Sequence, residues 1–180
     1  MSSYAGLAIY NTNTFAFEEV PEIIRNHPEL YKSSVSYICQ YGETSIIFNT
    51  EKNGLFLYNK AEGTFRHQSE NGFPFAVPDV KINCMFEDSR NNLWIGSYDQ
   101  GYYVIYDYQG RFNNDSWLKS SIGQKSVVSV DCDSKDNIWI STLKDGLYLY
   151  NADSELFRRI NLKKLFNFEG GDKLDISYVF

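Results

Sequence analysis

Along the chain, short runs of apolar and aromatic residues return at nearly constant intervals, each bounded by Gly or by Asn, Asp and Ser. The clearest run is a Gly followed by apolar residues and closed by Tyr. It occurs as Gly6-Leu-Ala-Ile-Tyr10, Gly54-Leu-Phe-Leu-Tyr58, Gly101-Tyr-Tyr-Val-Ile-Tyr106 and Gly146-Leu-Tyr-Leu-Tyr150. These glycines are 48, 47 and 45 residues apart. Runs this short, rich in aromatic and β-branched residues, predict strands and not helices. A period of about 40–50 residues is that of propeller blades.

A second phrase precedes the Gly at fixed distance. Trp94 and Trp139 each lie seven residues before a repeat glycine, within Asn92-Leu-Trp-Ile-Gly-Ser97 and Asn137-Ile-Trp-Ile-Ser-Thr142. Ser45-Ile-Ile-Phe-Asn-Thr50 is a degenerate copy with Ile47 in the Trp place. Upstream, Asp88-Ser-Arg-Asn-Asn92 and Asp133-Ser-Lys-Asp-Asn137 predict tight turns, because Asp, Ser and Asn side chains bond the local backbone. A third phrase opens each unit: Val35-Ser-Tyr-Ile-Cys39, Ile82-Asn-Cys-Met-Phe86, Val127-Val-Ser-Val-Asp131 and Ile176-Ser-Tyr-Val-Phe180. A fourth strand follows the Gly phrase in Thr14-Phe-Ala-Phe-Glu18, Thr64-Phe-Arg-His67 and Leu156-Phe-Arg-Arg-Ile160.

Each unit therefore reads strand A, Asp-Ser turn, strand B with Trp, Gly turn, strand C ending in Tyr, polar turn, strand D. The expected fold is all-β: a β-propeller fragment of about three complete four-stranded antiparallel blades plus two partial blades. Complete blades are expected over 35–68, 82–112 and 127–161, with a partial blade over 3–20 and the start of another over 174–180. Helix is expected at most as one turn within 21–31 and again at 162–166. One blade cannot bury both faces alone and must stack on neighbours. Three blades do not close a ring, and open blade edges invite pairing with another chain. The expectation is a piece of a longer protein, with other propeller blades or a second copy of itself as partners.

The phrases resemble the two-component regulator propeller repeat, Asp-Ser-x-Gly-Asn-Leu-Trp-Ile-Gly-Thr followed by Gly-Leu-x-x-Tyr. Asp88-Ser-Arg-Asn-Asn-Leu-Trp-Ile-Gly-Ser97 and Asp133-Ser-Lys-Asp-Asn-Ile-Trp-Ile-Ser-Thr142 match it closely, departing at Asn91 and Asp136, where the family usually has Gly. The resemblance runs through nearly the whole chain and is specific to a repeat family, not to a ligand. It implies the periplasmic sensor half of a hybrid two-component system, best known in gut Bacteroides, recognising a carbohydrate and signalling to a histidine kinase elsewhere in the parent chain.

Composition adds exclusions. The net charge of -6 argues against a general grip on nucleic acid, which needs a basic face. No apolar run reaches the roughly 20 residues of a membrane helix, and the N-terminus lacks a leader pattern. The chain is therefore either cytosolic or preceded by a leader, and the resemblance favours the periplasm. Cys39, Cys84 and Cys132 are too scattered for a disulfide framework or zinc cluster, and two histidines, His27 and His67, do not suggest a metal centre. No cofactor is expected.

Candidate chemistry is confined to loops. Residues 131–137 superficially resemble a calcium loop, but Asp136 and Thr142 stand where an EF-hand needs Gly and a carboxylate. G-x-S-x-G, H-E-x-x-H and P-loop motifs are lacking, and the Asp residues recur with the turns, so no catalytic residue is assigned. Trp94 and Trp139 read as blade packing ahead of sugar platforms. Propeller ligands commonly meet the face formed by B–C and D–A loops, and binding tends to reside on loops above a stiff scaffold. On that face Tyr98, Asp99, Gln100 and Trp117 offer the aromatic and hydrogen-bonding mixture that suits an oligosaccharide. A protein-interaction propeller without small ligand is the alternative, and a carbohydrate-active propeller enzyme the third.

Overall fold

A computed structural model of the chain describes residues 7–106 and 122–164, apart from Lys32, Pro78, Ala152, Glu155 and Lys163. It forms two compact units, residues 1–77 and 78–180. Both are built from antiparallel meanders of β-propeller type. The first partial-blade residues before 7, the end of the blade over 82–112, and the strand expected from 174 lie outside the described residues.

The first unit opens with a two-stranded ladder of β1 (Ile9–Asn11) and β2 (Ala16–Glu18). Two single-turn helices follow, α1 (Glu22–Arg25) and α2 (Pro28–Tyr31). One turn was expected over this span; Pro28 divides it in two, because proline suits a first helical position and ends what precedes it. A four-stranded sheet follows in order β3 (Val35–Tyr41), β4 (Ser45–Thr50), β5 (Gly54–Asn59), β6 (Thr64–His67). Val20, Ile24, Leu30, Phe48, Phe56 and Phe65 form its core, with the helices closed over one face of the sheet. Phe56 is wholly buried and stacks on Phe65 at 5.6 Å between centroids.

The second unit holds the three-stranded sheet β7 (Ile82–Glu87), β8 (Leu93–Ser97), β9 (Tyr102–Ile105) and the four-stranded sheet β10 (Val127–Cys132), β11 (Ile138–Thr142), β12 (Gly146–Asn151), β13 (Leu156–Arg159). Trp94 is buried between these blades, 5.4 Å from Tyr102 of its own sheet and 5.5 Å from Tyr150 of the next. It therefore packs blade on blade and offers no open face to a sugar. Gly96 keeps the two sheets close, since a Cβ there would sit 2.5 Å from both Cys84 Sγ and Val127 Cγ1. Each strand A also carries a register shift after its first residue, at Val35/Tyr37, Ile82/Cys84 and Val127/Ser129. At the second of these, Asn83 Nδ2 donates to the Val127 carbonyl of the neighbouring blade at 2.9 Å.

The Asp-Ser turns are locked by their own side chains. Asp88 Oδ1 accepts from the backbone N–H groups of Arg90 and Asn92, both at 2.9 Å, while Oδ2 accepts from Trp94 Nε1 at 2.8 Å. Asp133 repeats the pattern with Lys135, Asn137 and Trp139. These bonds hold the segment resembling a calcium loop as a hairpin turn. Asn91 and Asp136 have φ of 59° and 58°. The left-handed region explains why the family usually has Gly here, and why Asn and Asp, which tolerate it best among other residues, replace it.

Candidate functional site

The B–C hairpins share one internal clasp. The hydroxyl ending strand B donates to the carbonyl of the repeat glycine: Thr50 to Gly54 at 3.1 Å, Ser97 to Gly101 at 2.8 Å, Thr142 to Gly146 at 2.8 Å. The next residue's N–H bonds the carbonyl just before strand A, as Glu51 to Ser34, Tyr98 to Lys81 and Leu143 to Ser126. Each B–C tip is thus tied to the end of a D–A connection, and the two loop types share one edge. Within this constant frame three positions vary: Glu51-Lys52-Asn53, Tyr98-Asp99-Gln100 and Leu143-Lys144-Asp145.

In the second unit, the tip carrying the sequence candidates is partly pre-organised. Tyr98 is 52% exposed, with Lys81 Nζ 5.1 Å from its ring centroid. Gln100 accepts from the Tyr103 hydroxyl at 3.2 Å, while Asp99 is exposed. Burial, reinforced by the charge of Asp99, pushes the Tyr103 phenol above its ordinary value. Tyr98, Asp99 and Gln100 therefore do lie together; Trp117 lies outside the described residues.

The neighbouring tip holds a group the sequence reading did not single out. Asp145 Oδ2 accepts from Lys125 Nζ and from the Tyr148 hydroxyl, and Arg159 Nη2 stands 3.5 Å from Oδ1. Partial burial pushes the Asp145 carboxyl upward, but the hydrogen bonds from Lys125 and Tyr148 and the charge of Arg159 hold it below the ordinary value. The bond to Asp145 raises Lys125. Burial first, then the Asp145 contact, raises the Tyr148 phenol. Lys125 also joins the two tips, because its carbonyl accepts the Gly101 N–H at 2.9 Å. One signal was legible: a polar residue before the Gly and Tyr two after it, in Gln100/Tyr103 and again in Asp145/Tyr148. Lys125 and Arg159 lie 20 and 14 residues from Asp145, so only the fold brings them together.

The first unit shows a variant of the same frame. Phe56 takes the Tyr place, and Asn53 donates to the Glu29 carbonyl at 2.7 Å and to Ser33 Oγ at 2.8 Å. His67 Nε2 is 2.7 Å from the Asn53 carbonyl, so it carries the proton there. These polar side chains are consumed in holding the loop.

Comparison with known proteins agrees with the propeller fold. Residues 76–99 match the two-component regulator propeller family, so the chain carries that repeat. The fold is similar to the extracellular domain assigned to a hybrid two-component system of B. thetaiotaomicron, with a TM-score of 0.62, 16% identity and coverage of 98% of this chain and 21% of that one. An extracellular domain assigned to a one-component system of the same organism gives 0.63, 19% identity, and 99% and 22% coverage. PorZ, a surface component of the type-IX secretion system of Porphyromonas gingivalis, gives 0.59, 14% identity, and 86% and 24% coverage. The chain spans about a fifth of the length of the two B. thetaiotaomicron domains. No curated protein matches the chain in sequence.

Proposed function

We propose that the chain is a segment of an extracytoplasmic sensor propeller, that it is a binding module and not an enzyme, and that its ligand is a saccharide meeting the B–C tips of the second unit. The observation that carries this reading is the combination of a constant clasp with variable tips, where a rigid hairpin displays Tyr98, Asp99 and Gln100 beside Lys125 and Asp145. A half-exposed aromatic ring next to amide, carboxylate and phenol groups suits a sugar's apolar face and hydroxyls. Its similarity in fold to extracellular domains assigned to two-component systems supports a periplasmic or extracellular setting. Signalling would then pass to a kinase in the parent protein. The test is a thermal-shift screen of oligosaccharides against the full chain. A glycan that raises Tm and loses its effect on Tyr98→Ala supports the reading; stabilisation by none of them overturns it.

One observation favours a protein-interaction platform as second reading. Tyr10, Phe15 and Phe17 are 49%, 78% and 76% exposed on the β1–β2 ladder. Capture of a stable partner that is lost on Phe17→Ser, with no glycan dependence, would favour it.

A further inference from the structure

The second tip gathers positive charge around its own carboxylate. Lys125 and Arg159 both converge on Asp145. Among the described residues two cations share this one carboxylate, on a chain whose net charge is -6. Lys144, exposed and adjacent to Asp145, adds a third cation to the same turn. Its φ of 69° holds a non-glycine residue in the left-handed region, a conformation that is costly and tends to concentrate at ligand clamps.

The donors are not used up. Arg159 is 55% exposed, and among the described residues its one polar contact is the 3.5 Å approach to Asp145. Among the described residues most of the five guanidinium donors have no partner, and they lie in the planar fork that suits a carboxylate. Lys125 is 39% exposed and gives two contacts, to Asp145 and to Tyr148 Oη at 3.3 Å, out of three donors. Asp145 thus acts as a positioning residue that holds an ammonium and a guanidinium side by side. Leu143, 46% exposed, leaves apolar surface open at the same tip.

We propose that Lys125, Lys144 and Arg159 form a subsite for the carboxylate of an acidic sugar, so that the ligand is a uronate-containing oligosaccharide. This rests on the saccharide reading above and deepens it by naming the charge of the ligand. The shared chemistry is an oxyanion, and a sulfate ester is the competing source.

The test is calorimetric titration of the full chain with three tetrasaccharides of one linkage: a uronic acid oligomer, its neutral counterpart and a sulfate ester of the neutral one. The uronate is expected to bind about tenfold or more tighter than the neutral oligomer, the effect of one charge-assisted hydrogen bond. Arg159→Met should remove that advantage, Arg159→Lys should restore part of it, and rising salt should weaken the uronate but not the neutral oligomer. Because Arg159 is exposed, its variants should keep the wild-type circular dichroism spectrum. Lys144→Met, also at an exposed position, gives an independent loss. Equal binding of uronate and neutral oligomers overturns the subsite and leaves the saccharide reading standing. Preference for the sulfate ester overturns the carboxylate assignment, and binding of none overturns both readings.

Discussion

Phe15 and Gly63 occupy the same place in two copies of one hairpin turn. Asn11 caps the first copy through the N–H of Thr14 at 3.1 Å, and Asn59 caps the second through Glu62 at 3.0 Å. Four residues after each Asn the backbone is left-handed, with φ of 54° at Phe15 and 63° at Gly63. A β-carbon in that conformation costs about 1–2 kcal/mol, partly offset by the roughly 0.5–1 kcal/mol that glycine loses in unfolded-state entropy. Phe15→Gly should therefore stabilise the chain by up to about 1 kcal/mol, read as a higher denaturant midpoint. Asp133 allows a pH prediction at the same scale. The Asn137 amide above all, then Trp139 and the backbone N–H groups of Lys135 and Asn137, draw its carboxyl from 3.8 to about 2. Its stabilising effect is complete above the unfolded value of 3.8 and is lost as pH falls toward about 2. Thermal melts between those values should show a steeper acid loss in the wild type than in Asp133→Asn, which starts lower at neutral pH.

At the scale of the strand and its turn, the Asp–Trp bond ties a hairpin to a blade interface. Asp88 is buried, so removing the indole donor by Trp94→Phe leaves Oδ2 with Asn92 alone and should cost about 1–3 kcal/mol. The first unit shows the same device absent as a pair. Tyr41 stands in the Asp place and Ile47 in the Trp place, and the left-handed residue of this turn is Gly42, φ 60°, two places earlier than Asn91 and Asp136 in theirs. The two positions exchange together because a buried carboxylate without its donors is costly. Gly96→Ala tests the other side of the interface. The added methyl meets the Cys84 sulfur and a Val127 methyl, so a loss of roughly 1–3 kcal/mol is expected from overpacking. Chemical denaturation with both single variants and the double variant would give a coupling term, since the two residues lie in one interface.

At the scale of whole compact units, stability should follow blades that share a core, as in repeat proteins. In the second unit, β7–β9 and β10–β13 are joined by Trp94, Tyr150, Gly96, Val127 and the Asn83 hydrogen bond. In hydrogen exchange, Trp94→Phe should therefore lower amide protection in both sheets together; a loss confined to β7–β9 would contradict a shared cooperative unit. Strands and turns were legible in the sequence because they rest on local chemistry. Alternation, the Gly period and the Asp-Ser turns set hydrogen-bonding partners within a few residues, so the order A–B–C–D follows without tertiary information. Even Asn91 and Asp136 could be read as family departures before their φ angles explained them. Tyr98, Asp99 and Gln100 could be named as one group in the same way, since one turn carries all three. The Lys125–Asp145–Arg159 cluster was not, because charges 14 and 20 residues from their shared carboxylate have no local signature. The sequence by itself determined the repeat, its strands and its variable tips. Only the tertiary structure decided which tips touch, which indole is buried and that Lys125 and Arg159 meet at Asp145, because those depend on side chains from different hairpins meeting in space.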